Sequence, residues 1–143
     1  MSQLQTAGNS TNPPKCVVLV DDDVQIAEAM ELMLSLNGVR ASLYDSAESL
    51  LSCVTMQQGR LQLLTPDGDV FELSAAVLDL NLPGMNGIDL VLHLRAMQPD
   101  LKIVLITAAL ESVVRLHRKE LEGVQCLFKP FDVNSLESAL FRS

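Results

Sequence analysis

The chain has 143 residues, 48% of them apolar, and its eighteen acidic and ten basic residues give a formal net charge of −8. That length suits one domain, or one with a decoration, and can bury roughly two-thirds of its unfolded surface without staples. No apolar run approaches the ~20 residues of a membrane helix, and residues 1–15 hold no signal-peptide stretch. Cys16, Cys53 and Cys126 are too few and scattered for a disulfide framework. A soluble, intracellular, cytoplasmic protein is expected. Its acidity, with no Trp and one Tyr, argues against direct nucleic-acid binding.

Residues 1–14 are rich in Ser, Thr, Asn, Gln and Pro and read as a flexible tail ahead of a domain over 15–143. Residues 16–20 are a continuous apolar run that stops at Asp21-Asp22-Asp23, as in a strand buried on both faces of a parallel sheet. Ile26, Met30, Met33 and Leu34 then recur at helical spacing until Asn37-Gly38 closes the helix. Residues 39–44 alternate like a strand nearer an edge. Asp45 and Glu48 resemble a helix start, with Ala47, Leu50, Leu51 and Val54 along one face.

A third strand is expected within 73–80, again stopping at an acid, Asp79. Residues 83–87 are a loop, and Leu90, Leu94 and Met97 mark a helix that Pro99 ends. Residues 102–106 form a fourth strand up to Thr107, residues 111–121 a charged helix stopped by Gly123, and residues 126–128 a short fifth strand before Lys129-Pro130. Asp132 suits the cap of a last helix. This alternation predicts an α/β parallel sheet covered on both faces. One segment breaks the rhythm: two alternating runs around Pro66-Asp67-Gly68 predict a β-hairpin inserted over 56–73, with an acidic loop as the competing reading.

In such a sheet ligands bind outside the carboxyl ends of the strands. The polar residues there are Asp21, Asp22, Asp79, Thr107 and Lys129. Carboxylates ~4 Å apart repel by about 4 kcal/mol at an effective dielectric of about 20, so protons or a cation must relieve a shared pocket. An all-oxygen donor set favours Mg²⁺ or a similar hard ion. Zinc is disfavoured, because His93 and His117 fall on separate helices away from these ends. Cation, ammonium and hydroxyl together could stabilise a phosphoryl group passing to an aspartate oxygen. No phosphate-binding glycine loop supports nucleotide binding.

The runs 17–22 (Val-Val-Leu-Val-Asp-Asp), 77–87 (Val-Leu-Asp-Leu-Asn-Leu-Pro-Gly-Met-Asn-Gly), 106–108 (Ile-Thr-Ala) and 128–131 (Phe-Lys-Pro-Phe) stand in the order of one known family. With them the chain resembles a response-regulator receiver domain of two-component signalling. The resemblance implies a flavodoxin-like (βα)5 sandwich with sheet order 2-1-3-4-5. It implies Asp79 as phosphoacceptor, with Asp21, Asp22, Asp79 and the Asn81 backbone carbonyl around Mg²⁺ (or Mn²⁺). Thr107 and Lys129 would contact the phosphoryl oxygens and, with Ala108 beside Thr107, report to the face of the fourth helix, fifth strand and fifth helix. The donor would be a phosphohistidine on a sensor histidine kinase or phosphotransfer protein, and the chain would not be a turnover enzyme.

Cys126 departs from the pattern: three residues before Lys129 the best-known switch has an aromatic ring, so ring rotation coupled to Thr107 is not expected. About 5–6% of X–Pro bonds are cis, but the resemblance implies a cis bond at Pro130 that aims Lys129. Cys53 and Cys126 read as small buried hydrophobes, and Asp23 as a helix cap. Arg115, His117, Arg118 and Lys119 make the fourth helix basic. That cluster is read first as a solvated face, with a partner surface as the alternative; the hairpin is a second candidate surface. A homodimer, a stand-alone receiver and the front piece of a longer chain all stay open.

Two rival functions remain. A haloacid-dehalogenase-type phosphatase would use Asp21 as nucleophile and Asp23 as acid, but Gln25 stands where its motif has Thr or Val, and no late acidic pair follows Lys129. A phosphorylation-independent interaction module would leave the Asp, Thr and Lys set without work.

Overall fold

The computed structural model describes Pro13 and residues 15–141; apart from Pro13, the tail expected over 1–14 lies outside them. Its seven strands are β1 (Lys15–Val20), β2 (Ala41–Tyr44), β3 (Val54–Gln57), β4 (Arg60–Leu64), β5 (Val70–Asp79), β6 (Lys102–Thr107) and β7 (Gln125–Phe128). The helices are α1 (Val24–Leu36), α2 (Ala47–Leu51), α3 (Gly87–Met97), α4 (Glu111–Arg115) and α5 (Val133–Phe141). β1 pairs in parallel with β2 and β5, β5 with β6, and β6 with β7, giving the parallel order β2-β1-β5-β6-β7. This is the doubly wound order implied by the resemblance, counted without the two extra strands.

The central strands are buried on both faces because their runs are apolar at every position, as in Cys16–Val20 and Ile103–Ile106. One face carries Val18, Val20, Ala76, Leu78 and Leu105 against Leu50 of α2, Leu90 and Leu94 of α3, and Val114 of α4. The other carries Val17, Leu19, Val77 and Ile106 against Met30, Met33 and Leu34 of α1, and Leu136 and Leu140 of α5. Three layers result, and every strand of the parallel set delivers its carboxyl end to the same rim.

The inserted hairpin is present and larger than expected. β4 and β5 pair antiparallel around residues 65–69, but a further antiparallel strand, β3, precedes them through a turn at Gln58-Gly59. Val54, placed on a helix face by its spacing, therefore belongs to a strand. Both turn residues have positive φ, 56° for Gln58 and 79° for Gly59, as a two-residue hairpin turn between β3 and β4 requires. The second arm of the hairpin is not separate from the third core strand: β5 runs through ten residues, pairing with β4 at Val70–Glu72 and with β6 from Ala75 to Asp79. β4 and β6 thus share one edge of β5, end to end, and the meander sits at the pole away from Asp79.

Two further expectations are corrected. The helix expected over 111–121 ends at Arg115, and the chain continues in tight turns, with Leu116, His117 and Arg118 N–H groups each reaching back three residues. No side chain caps its start at Leu110, and only Val114 of its residues is buried, so little packing holds a longer helix. Ser46, rather than Asp45, caps α2 by accepting from Ser49 N.

Candidate functional site

Each acid reaches the rim because a buried strand ends there. Asp21 follows β1 directly, and its backbone N–H bonds to Tyr44 O at the end of β2. Its Oδ1 accepts from Asp23 N at 2.9 Å. Asp23 faces away from this pocket: its own carboxylate caps α1, accepting from Gln25 N and Ile26 N, so it is not placed as a catalytic acid. Asp79 closes β5 and is 5% exposed, against 2% for Asp21, whereas Asp22 is exposed. One carboxylate oxygen from each of Asp21, Asp22 and Asp79 lies within 4.8 Å of the others.

Lys129, at the end of β7, reaches into this acidic group. Its Nζ stands 3.2 Å from Asp79 Oδ2 and 3.6 Å from Asp21 Oδ2. The Lys129–Pro130 bond is cis. Lys129 N donates to Thr107 O at 2.7 Å, locking the ends of β6 and β7 together. Burial works against the Lys129 ammonium, but the charges of Asp21 and Asp79 outweigh it and hold its pKa above the ordinary lysine value. It is a cation at neutral pH. Burial, opposed by the Asp23 N–H and reinforced by Asp79, pushes the Asp21 carboxyl up to about 6.

Thr107 is fully buried, and its Oγ1 accepts from Ala109 N at 2.9 Å, which leaves the hydroxyl proton to be donated. Ala108 is exposed beside it. Asn81 is exposed, and its N–H donates to Asp79 Oδ1 at 3.0 Å, so with Lys129 on Oδ2 both oxygens of Asp79 accept a hydrogen bond. Cys126 lies in β7 opposite Leu105; like Cys53 it is half-buried rather than fully buried, and burial raises its thiol pKa. Arg115, Arg118 and Lys119 are exposed, but only Arg115 lies on α4, where it pairs with Glu111 at 2.8 Å.

Two residues of the rim escaped the sequence reading. Gly87 approaches so closely that a Cβ there would stand 2.4 Å from Asp79 O and 2.7 Å from Leu80 Cα. Its place at the end of the Pro-Gly-Met-Asn-Gly loop was a usable signal for close backbone approach. Glu48 of α2 accepts from Met85 N at 2.9 Å, a contact that no local pattern announces.

The donor set fits a hard divalent cation. Asp21 Oδ2 is buried without a hydrogen-bond partner, and the clustered ligands are all carboxylate oxygens. Such a constellation on a doubly wound sheet defines an acidic phosphoryl-accepting site of the receiver class. The chain matches the response regulator receiver domain family over residues 17–141, and it belongs to that family. Receiver domains form a phosphoacceptor family of two-component response regulators and bind Mg²⁺ at an acidic pocket.

Transcriptional regulatory protein PrrA of Mycobacterium tuberculosis is 32% identical over 116 residues, covering 80% of this chain and 43% of that protein. Transcriptional regulatory protein FixJ of Bradyrhizobium diazoefficiens is 22% identical over 124 residues, covering 87% and 54%. The chain thus spans about half the length of these curated relatives. Among solved structures, a sensor protein from Polaromonas sp. JS666 superposes with a TM-score of 0.69 at 30% identity, covering 91% of this chain and 95% of that one. Among the described residues no helix is long and apolar enough to cross a membrane.

Proposed function

We propose that Asp79 is the residue phosphorylated, receiving the group from a phosphohistidine on a sensor histidine kinase or phosphotransfer protein. One observation supports this reading: Asp79 shares the acidic cluster with Asp21 and Asp22 and accepts the 3.2 Å hydrogen bond of the Lys129 ammonium, which stands farther from Asp21, at 3.6 Å. An oxygen of Asp79 forms the new bond to phosphorus as the donor's nitrogen–phosphorus bond breaks. Lys129 transfers its hydrogen bond from Asp79 to a phosphoryl oxygen, and Thr107 donates its free proton to another. Mg²⁺ or Mn²⁺, held by Asp21, Asp22, Asp79 and the Asn81 carbonyl, would screen the phosphoryl charge from the acids.

The acyl phosphate then hydrolyses slowly on the chain, so the reaction is stoichiometric signalling in the cytoplasm and not turnover of small esters. Output passes through the surface around Arg115, Arg118 and Lys119 or through the β3–β4 meander, to another protein or a second copy of the chain.

The test is incubation with Mg²⁺ and acetyl phosphate, or with beryllofluoride, of wild type and Asp79→Asn. One acid-labile phosphoryl group per wild-type chain and none on Asp79→Asn supports the reading. Continuous hydrolysis that survives Asp79→Asn but not Asp21→Asn makes the chain a phosphatase; no response to either reagent makes it a passive module.

A further inference from the structure

We propose that Glu48 is a positioning residue for phosphoryl acceptance, clasping the loop over 81–86 so that Asn81 keeps its place beside Asp79; this deepens the function proposed above and rests on it. The loop leaves β5 at Asp79 and enters α3 at Gly87, and both of its ends are pinned to the acceptor. Asn81 N–H bonds to Asp79 Oδ1, and Gly87 packs against the Asp79 backbone carbonyl. Gly87 N also donates to Leu80 O at 2.9 Å.

Between these ends the Pro83-Gly84-Met85 turn is held from outside by α2. Met85 N donates to Glu48 Oε2, and Gly84, at φ +71°, lies so close that a Cβ would stand 2.7 Å from the same oxygen. Carboxylate and glycine are matched in shape as well as in polarity. The clasp is itself braced: the Ser46 cap fixes the start of α2, and buried Ala47 and Leu50 fix its rotation. The hydrogen bond from Met85 holds the Glu48 carboxyl below its ordinary pKa, so it is an ionised acceptor at neutral pH.

Wild type, Glu48→Ala and Glu48→Gln are compared by the rate of acid-labile labelling with acetyl phosphate across a Mg²⁺ titration, and by amide hydrogen exchange at Met85. Glu48→Ala is expected to label about three- to tenfold more slowly, the scale of one charge-assisted hydrogen bond at an exposed position, and to need more Mg²⁺ for half its maximal rate. Its Met85 amide exchanges faster. Glu48→Gln, whose amide oxygen can accept the same bond, recovers most of the rate. Labelling of Glu48→Ala at the wild-type rate, unchanged Met85 exchange, or a Glu48→Gln as slow as Glu48→Ala overturns the proposal. A wild type that does not label at all sinks the parent reading instead.

Discussion

The side-chain carbonyl of Gln98 accepts the backbone N–H of Leu61 at 2.7 Å, with both residues buried. Gln98 ends α3, and its own N–H bonds to Leu94 O. Leu61 begins the buried row of β4, which pairs with β5 just ahead of the stretch that pairs with β6. The bond therefore ties the inserted meander to the end of α3, alongside the burial of Leu63 and Phe71 in the same core.

Gln98→Ala removes the acceptor and leaves the Leu61 N–H buried without a partner. We expect a loss of about 1–3 kcal/mol, read as a lower urea midpoint with an unchanged slope. Gln98→Glu keeps an acceptor oxygen and should lose less than Gln98→Ala at low pH, where its carboxyl is protonated, because ionising it buries a charge. Equal midpoints for Gln98→Ala and wild type would refute this role.

The Asp21 carboxyl sets a pH dependence in metal-free buffer. Its folded pKa of about 6 lies above the ordinary 3.8, so between these values the native chain holds a proton that the unfolded chain has released. Stability contributed by this group falls as pH rises through that window and levels off above it. The full effect is on the order of 3 kcal/mol. Asp21→Asn should flatten this part of the thermal-midpoint profile and be more stable than wild type at pH 7.5 without metal. Added Mg²⁺ should raise the wild-type midpoint at that pH and have little effect on Asp21→Asn.

Lys129→Met takes away the ammonium that faces Asp21 and Asp79. The two carboxylates are then left against each other in a buried pocket, and the variant should lose about 1–3 kcal/mol at neutral pH. Acidification to pH 5 should return much of it as one carboxylate protonates. Calorimetry at the two pH values checks the crossover; a loss of equal size at both would point to packing of the lysine stem instead.

Gly87→Ala places a methyl group into the backbone of Asp79 and Leu80, which cannot swing aside as a side-chain end can. About 1–3 kcal/mol of destabilisation is expected, with slower phosphoryl labelling because Asp79 itself must move. Gly68→Ala is the contrast: its Cβ meets nothing within 4 Å, and only its positive φ is strained. It should lower stability while leaving the labelling rate alone.

The parallel sheet and the convergence of Asp21, Asp79 and Lys129 were legible because buried parallel strands leave long apolar runs that end abruptly in polar residues. Asp23 as a cap and Asp132 at the start of α5, accepting from Ser135 N, were legible for a similar local reason. β3 was not: Val54-Thr55-Met56-Gln57 is short, and its apolar residues also fit a helix face. The early end of α4 was hidden because charge spacing over 111–121 suits a helix, while no residue between Val114 and Leu121 is buried to hold the intervening turns as one. Glu48 with Met85 and Gln98 with Leu61 each join positions 37 residues apart through a single side chain, and no periodicity encodes such a meeting.

The ten residues of β5 have a geometric consequence. At about 3.3 Å per residue the strand extends about 30 Å, so the meander hangs from one end of a rod whose other end bears Asp79. A large companion could grip the appendage without shading the rim that a phosphate donor must approach. Accessory architecture and acid–phosphorus chemistry can thus diversify independently while sharing the same backbone beam.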